Sequence, residues 1–174
     1  MPRLPALITK DQIPEAAHAA FDSIAATRNR VGGPFAVLMH SPEVAARDAH
    51  LGTYIRFEST LPPAIRELAT IVAAHVCECA YEWAAHETQA RTAGVPDAVI
   101  EAVANDGDVD VLDAEHALVI HYGREILTRH RVDDATFEAA RARYGAQGVI
   151  DLTATFGYYA LLATALNAAE VRPA

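Results

Sequence analysis

Apolar residues recur three and four positions apart along most of the chain. No stretch shows the strict alternation of apolar and polar residues that is typical of a half-buried strand. The pattern therefore predicts an all-α fold. The predicted helices span residues 15–28, 34–40, 42–57, 63–94, 97–105, 114–129, 134–144 and 147–169.

Turn and capping residues support these boundaries. Ser41 is followed by Pro42, which is typical of an N-cap and a first helical position. Asp113 and Asp133 are predicted N-caps, and Gly94 is a predicted helix stop. Because no repeat, linker or low-complexity tract divides the sequence, residues 1–174 are expected to form one domain.

The composition is that of an ordinary globular protein, with 52% hydrophobic and 21% charged residues. The formal net charge is -9, from 14 basic and 23 acidic residues. This balance argues against binding to nucleic acid or to an anionic membrane surface, since both need clustered Lys and Arg. A small anionic substrate stays compatible with it, because one local arginine can outweigh the global field.

Neither end of the sequence indicates a secretory or membrane-spanning segment. Residues 1–14 lack a continuous apolar core after a basic region, which predicts a cytoplasmic protein. The uncharged run 152–169 approaches membrane-spanning length, but its Thr, Gly and Asn residues make it too polar. We interpret it as a helix buried in a core or in a subunit contact.

Ionisable side chains concentrate in the otherwise apolar stretch 67–86. His75, Cys79, Glu82 and His86 are spaced four, three and four apart, so they would share one stripe of an uninterrupted helix. Burial raises the pKa of a carboxyl group and lowers that of an imidazole, so Glu82 and His86 could share a proton near neutral pH. Cys79 could become nucleophilic if His86 or a helix N-terminus stabilised its thiolate. Cys77 would point elsewhere, and we interpret it and His75 as packing residues.

The same stretch resembles the carboxymuconolactone decarboxylase superfamily, which includes the D-type alkylhydroperoxidases. The peroxidase branch carries a Glu, then after twelve residues the first Cys of a Cys-x-x-Cys pair, then a His four residues beyond the second Cys. These positions correspond to Glu67, Cys79, Glu82 and His86. Since Glu82 replaces the second cysteine, no disulfide can close, and the YEWxxH signature over residues 81–86 is more similar to the decarboxylase branch.

The resemblance extends over roughly residues 28 to 165 and takes in the segments 33–35, 40–42, 61–63 and 157–159. It implies an alkylhydroperoxidase-like bundle of about seven or eight helices that assembles into trimers or hexamers. It also implies a helix break near residues 76–78. With that break, Cys79 would begin a new helix whose dipole lowers the pKa of its thiol, and His75 would leave the stripe.

The first functional hypothesis that follows is a cofactor-free lyase acting on a small carboxylated lactone or related ring acid. In this hypothesis His86 is the general acid or base, Glu82 shares its proton, and Glu67 tunes the pair. A developing enolate also needs cations or amide groups nearby. The predicted substrate-binding residues are the arginines and aromatic residues of the region: Arg30, Arg56, Arg66, Tyr81 and Trp83.

Three alternatives remain open. The first is a one-cysteine hydroperoxide reductase, with peroxiredoxin-type activity, or a redox sensor that uses Cys79 and an external thiol. The second is a non-catalytic oligomeric binding protein. The third, ranked last, is a metal site on the stripe that is completed by His116 or His121. The sequence leads us to expect neither a metal nor a cofactor.

Overall fold

The computed structural model describes residues 1–173, which fold into eight α-helices without a β-strand. The all-α prediction is therefore confirmed. Two 3-10 helices, Lys10–Gln12 and Glu15–Ala17, come first, and a π-helical turn, Tyr54–Glu58, follows the third α-helix. The α-helices are α1 (His18–Arg28), α2 (Pro34–Leu38), α3 (Pro42–Thr53), α4 (Pro63–Val76), α5 (Ala80–Ala93), α6 (Asp97–Ala104), α7 (Ala114–Arg129) and α8 (Asp134–Ala168).

The predicted helix ends hold in most places. Asp113 caps α7 by accepting hydrogen bonds from the backbone N–H groups of Glu115 and His116. Asp133 is the N-cap residue of α8 as predicted, but its side chain makes no capping hydrogen bond and instead pairs with Arg129 at 2.8 Å. The two helices predicted over residues 134–144 and 147–169 meet at a kink, because Gly145 adopts the non-helical angles φ 69° and ψ 178°.

The prediction of a single helix over residues 63–94 is wrong. The chain leaves the helical conformation after Val76 and starts again at Ala80. Between the two helices, Glu78 has a φ of 52°. Its backbone N–H donates to the carbonyl of His75 at 2.9 Å, and that of Cys79 donates to Ala74 at 2.8 Å, which closes the end of α4.

Helix α4 is the centre of the bundle and contacts α5, α7 and α8. All seven residues from 68 to 74 are at most 1% exposed. A residue such as Ile71 is therefore packed on every side, and its replacement by alanine is expected to cost about 2–5 kcal/mol. Gly123 lets α7 approach this core, since a Cβ there would lie 2.4 Å from the ring of Phe156.

A second, smaller core joins α1, α2 and α3. Its largest buried members are Ile24, Phe35 and Met39. This packing holds the C-terminal end of α1 against α3 and fixes Arg28 there, and its guanidinium carbon lies 4.3 Å from the centre of the Phe35 ring. The smaller core thus holds the positive charge of Arg28, a residue of α1, in a fixed position.

Helix α8 is long and apolar enough, by length and composition, to cross a membrane. However, 56% of its most apolar window is buried inside the fold, and the core helix of a folded domain meets the same criterion. Its buried side carries Leu152, Phe156 and Leu166. On its outer side Ile150 and Leu161 are 66% and 46% exposed.

Candidate functional site

The break between α4 and α5 determines which side chains share a site. Cys79 is the N-cap of α5, so Glu82 lies in the first turn of the new helix and His86 one turn further on. Glu67 comes from α4, which packs along α5. His75 is left at the end of α4, where it contacts Asp106 at 3.0 Å. The stripe predicted for an uninterrupted helix therefore loses His75, as the alternative with a helix break implies.

His86 lies between two carboxyl groups. Its Nδ1 atom is 2.8 Å from Oε2 of Glu67, and its Nε2 atom is 3.5 Å from Oε2 of Glu82. His86 is 6% and Glu82 2% exposed, so water hardly screens this contact. An ionised Glu67 only accepts hydrogen bonds, so it would hold the ring hydrogen on Nδ1, and Nε2 would then face Glu82 without a hydrogen.

Glu82 is poised to hold a proton. Burial raises the pKa of its carboxyl group above the ordinary value, although the neighbouring His86 and Arg56 side chains lower it in part. Its Oε1 atom is buried and has no hydrogen-bond partner in residues 1–173. A buried oxygen without a partner favours the protonated form or a ligand that supplies a donor.

A cavity of about 220 Å³ lies against these groups. Its polar lining combines Glu82 and His86 with three arginines and three tyrosines, and apolar residues and a glycine-rich turn complete the wall. The lining residues are Arg28, Arg30, Arg56, Tyr81, Glu82, His86, Tyr158, Tyr159, Gly32, Gly33, Pro34, Phe35, Ala85 and Leu162.

Three of the predicted substrate-binding residues line this cavity. Tyr81 comes from the first turn of α5, and its hydroxyl approaches Gly33, where a Cβ would lie 3.3 Å away. Arg56 comes from the π-helical turn, and its charge acts on Glu82 and on Tyr159. The third is Arg30, from the loop between α1 and α2.

Arg66 and Trp83 lie elsewhere. Arg66 is turned back along α4, and its guanidinium donates to the carbonyl of Leu61 at 3.1 Å. Trp83 lies on a side of α5 that does not face the cavity. Its ring meets His75 edge-on at 6.0 Å and lines a separate surface depression with that residue.

Cys79 also lies outside the cavity. It is 1% exposed and packs against Ala163 and Leu166 of α8. The helix N-terminus was expected to lower the pKa of its thiol, but burial raises the pKa above its ordinary value. The backbone N–H groups of Glu82 and Tyr81 lower it only in part. The expected activation of the thiolate is therefore wrong for this structure.

The residues considered for a metal do not converge. Within residues 1–173 no group of three His, Cys, Asp or Glu side chains is close enough to hold an ion. His116 contacts Asp113, and His121 lies 2.9 Å from Asp110. Both histidines therefore contact aspartates of the loop that precedes α7 or of its N-cap.

The sequence did not identify Arg28, Asp48, Tyr158 and Tyr159 as site residues. Tyr159 meets His86 edge-on with ring centres 5.1 Å apart, and Tyr158 meets Tyr159 in the same way at 5.1 Å. The sequence held a signal for the two tyrosines, because the segment 157–159 carries part of the family resemblance. The segment 33–35 carries another part, and residues of both segments line the cavity. Arg28 and Asp48 had no local signal, because only the packing of α1 and α3 brings them near.

The sequence matches the profile of the Carboxymuconolactone decarboxylase family over residues 42–119. This region runs from the start of α3 into α7 and includes Glu67, Glu82 and His86. It does not include the tyrosines of α8. No curated protein matches the sequence.

Solved structures share the fold over nearly the whole chain. A peroxidase-related protein from Ralstonia eutropha JMP134, with an alkylhydroperoxidase AhpD core, has a TM-score of 0.77 and 19% identity over 99% of this chain and 92% of its own. A peroxidase-related protein from Silicibacter sp. TM1040 has a TM-score of 0.75 and 16% identity over 99% and 94% of the two chains. A protein of unknown function from Agrobacterium tumefaciens has a TM-score of 0.69 and 16% identity over 79% and 95%. At these identities the likeness shows the fold alone.

Proposed function

Since the chain belongs to the carboxymuconolactone decarboxylase and alkylhydroperoxidase superfamily, we propose that it is a cofactor-free enzyme of the decarboxylase type. Its substrate is a small carboxylated lactone or a related ring acid, bound in the cavity beside His86. The observation that carries the proposal is the position of His86 between Glu67 and Glu82, with both carboxyl groups on opposite ring nitrogens.

The proposed reaction needs one proton and a place for one electron pair. The bond between the ring carbon and the substrate carboxylate breaks, CO2 leaves, and the electron pair moves through that carbon onto a neighbouring carbonyl oxygen as an enolate. A proton from Glu82 or from Nε2 of His86 then forms the new C–H bond. Solvent returns the proton to the pair before the next cycle.

The arginines of the cavity stabilise the negative charges of the substrate and of the enolate. Arg56 is the arginine whose charge reaches both Glu82 and Tyr159, so it is placed to stabilise an enolate formed beside them. Arg28 and Arg30 lie at the end of the wall that includes the 32–34 turn and fit a second anionic group. The apolar wall around Phe35 and Leu162 fits the ring of the substrate.

The experiment is a decarboxylation assay in D2O with carboxymuconolactone and a small set of ring acids. The wild-type protein should release CO2 and incorporate one deuterium at a ring carbon of the product. His86→Gln should lower the rate by about a hundredfold or more, because it removes the proton-transferring ring. His75→Gln is the matched control, since that imidazole lies outside the cavity and should leave the rate unchanged. A folded wild type that turns over none of these acids would contradict the proposal.

A peroxidase is the second candidate. It is supported by the shared fold of the peroxidase-related proteins from Ralstonia eutropha and Silicibacter, and by the position of Cys79 at the start of α5. The burial of Cys79 weighs against it. Glu82→Cys would recreate a Cys-x-x-Cys pair and should raise turnover of an alkyl hydroperoxide if the scaffold suits thiol chemistry. If that variant folds and stays inert, the peroxidase hypothesis fails.

We also propose that the chain works as a homo-oligomer, in keeping with the trimers or hexamers that the resemblance implies. Ile150, Ala154, Gly157 and Leu161 recur at helical spacing on the outer side of α8, and Ile150 and Leu161 are exposed there. An apolar helix face of this kind often marks a subunit contact. Sedimentation should show an assembly that Ile150→Lys with Leu161→Lys dissociates, and a monomeric wild type would contradict it.

A further inference from the structure

Three buried side-chain atoms in residues 1–173 have no hydrogen-bond partner, and all three belong to one region. They are Nε of Arg28, Oδ2 of Asp48 and Oε1 of Glu82. Glu82 and Arg28 line the cavity, and Asp48 lies behind it, close enough for its charge to interact with both. The proposed reaction gives Asp48 no task. A carboxyl group that is 6% exposed and incompletely bonded needs an explanation of its own.

Asp48 belongs to a packed unit of three elements. It lies one turn before Gly52 on α3, and Gly52 leaves a space that two other side chains fill. A Cβ at Gly52 would lie 2.1 Å from the Tyr158 hydroxyl and 3.0 Å from Nη2 of Arg28. The Tyr158 hydroxyl therefore lies beside both Arg28 and Asp48, and α1, α3 and α8 meet at this point.

Arg28 is held firmly within this unit. Its Nη2 donates to the carbonyl of Ala49 at 3.0 Å, and its Nη1 donates to the Thr27 hydroxyl at 2.8 Å. The Phe35 ring covers one face of the guanidinium. With so little freedom, Arg28 cannot turn away from Asp48 when an anion enters the cavity. Its effective charge toward that anion then depends on whether Asp48 is charged.

We propose that Asp48 is a positioning residue that controls how tightly the cavity holds an anion, acting through Arg28 and Tyr158. When Asp48 is ionised, it offsets the positive charge of Arg28. When it is neutral, that charge is available to the bound anion. This inference rests on the proposed function only in taking the cavity as the site of an anionic substrate.

The titration of Asp48 falls in a useful range. Burial raises the pKa of its carboxyl group to about 6, with Arg28 and the hydrogen bond of Tyr158 opposing the rise and Glu82 adding to it. Asp48 is therefore mostly neutral below that pH and mostly ionised above it. Anion binding should strengthen as the pH falls, and by linkage a bound anion should raise the pKa of Asp48 further.

Other charged groups face the same region and must be separated from Asp48 in a test. Arg28 comes from α1, Tyr158 from α8 and Glu82 from α5, while α2 presents no titratable side chain. Arg56 of the π-helical turn and His86 lie beside Glu82 on the other side. Since burial also raises the pKa of Glu82, the pH profile of the wild type alone does not isolate Asp48. A variant that changes only Asp48 does.

The experiment uses benzenesulfonate as the probe, because it stays an anion throughout the range and its ring suits the apolar wall. Calorimetry near pH 5 and near pH 7.5 would compare the wild type with Asp48→Asn, which keeps the shape and removes the charge. Near pH 7.5 the variant should bind about tenfold more tightly than the wild type, and near pH 5 the two should converge.

Two further variants keep the test sharp. Asp151→Asn changes another buried aspartate, one whose Oδ2 is bonded to Thr60 at 2.7 Å outside the cavity, and it should follow the wild-type profile. Gly52→Ala should displace Tyr158 and Arg28 and weaken binding several-fold at both pH values. Circular dichroism would confirm that each variant is folded.

Equal affinity of Asp48→Asn and the wild type near pH 7.5 would overturn the inference, as would a wild type that binds no probe at either pH. Unchanged binding by folded Gly52→Ala would count equally against the role of Arg28 and Tyr158. Because the assay needs no turnover, it is independent of the decarboxylation assay. A protein that binds the probe as expected but never releases CO2 would refute the proposed function alone.

Discussion

The Nδ1 atom of His86 and Oε2 of Glu67 lie 2.8 Å apart and join α5 to α4 next to the cavity. These residues are nineteen positions apart in the sequence and on different helices. The contact orients the imidazole, keeps Nε2 directed at Glu82 and supports a positive charge on the ring when it takes a proton. It therefore connects the packing of the bundle directly to proton transfer.

The variant Glu67→Gln tests the charge in this contact. The amide oxygen of the new side chain would still accept the Nδ1 hydrogen bond, but it would no longer stabilise a protonated imidazole. The rate at which deuterium appears in the decarboxylated product should fall about tenfold or more. Glu87→Gln is the matched control, because Glu87 lies on the same helix as His86 and pairs with Arg91 away from the cavity. Equal rates for both variants would show that the charge of Glu67 is not needed.

A second prediction concerns stability and Glu82. The pKa of Glu82 is raised in the folded protein, so the folded state binds its proton more tightly than the unfolded state does. The fold keeps its full stability below the ordinary pKa of a glutamate and loses part of it as the pH rises through the raised value. Glu82→Gln should therefore be more stable than the wild type at alkaline pH, by about 1–3 kcal/mol, and lose this advantage in acid. Urea denaturation at the two pH extremes measures the difference, and a variant less stable at alkaline pH would contradict it.

The sequence carried enough information for the fold and for the centre of the site. Helical periodicity and capping residues predicted the helices, and the family resemblance located Glu67, Glu82 and His86. The single helix predicted over residues 63–94 was wrong because the break after Val76 lacks the usual glycine or proline. The positive φ of Glu78 is held by hydrogen bonds to α4, which periodicity alone does not reveal.

The walls of the cavity were harder to predict. Arg66 precedes Glu67 in the sequence, yet it bonds to Leu61, whereas Arg28 reaches the cavity from α1. Tertiary packing determines which arginine faces the cavity, and the spacing of residues along the sequence does not predict it. The pKa of the Cys79 thiol shows a similar limit, since the sequence predicted the helix N-terminus but not the burial that outweighs it.

The third prediction uses the two cysteines. Burial raises the pKa of both thiols, but Cys79 is 1% exposed whereas Cys77 is partly exposed. Iodoacetamide at neutral pH should therefore modify Cys77 first and Cys79 only when the protein unfolds. Mass spectrometry of the modified peptides, with Cys77→Ala as a control, measures both rates. Rapid modification of Cys79 in the folded protein would contradict this prediction and support the one-cysteine peroxidase hypothesis.

The fourth prediction compares two arginines. Arg56 lines the cavity and interacts with Glu82, whereas Arg66 bonds to a carbonyl outside it. Arg56→Gln should weaken kcat/KM for the ring acid by about tenfold to a hundredfold, in keeping with the loss of a charge-assisted contact. Arg66→Gln should leave kcat/KM close to that of the wild type. The reverse order would mean that the substrate lies on the other side of α4.

The central claim is that Nε2 of His86 exchanges a proton with Glu82 while Glu67 holds the hydrogen on Nδ1. Nitrogen-15 NMR of the histidine ring distinguishes the two tautomers directly in the protein without substrate. The predicted result is a ring hydrogen on Nδ1, with an Nε2 signal that moves with the titration of Glu82. A ring with its hydrogen fixed on Nε2, in the wild type and in Glu82→Gln alike, would contradict the claim.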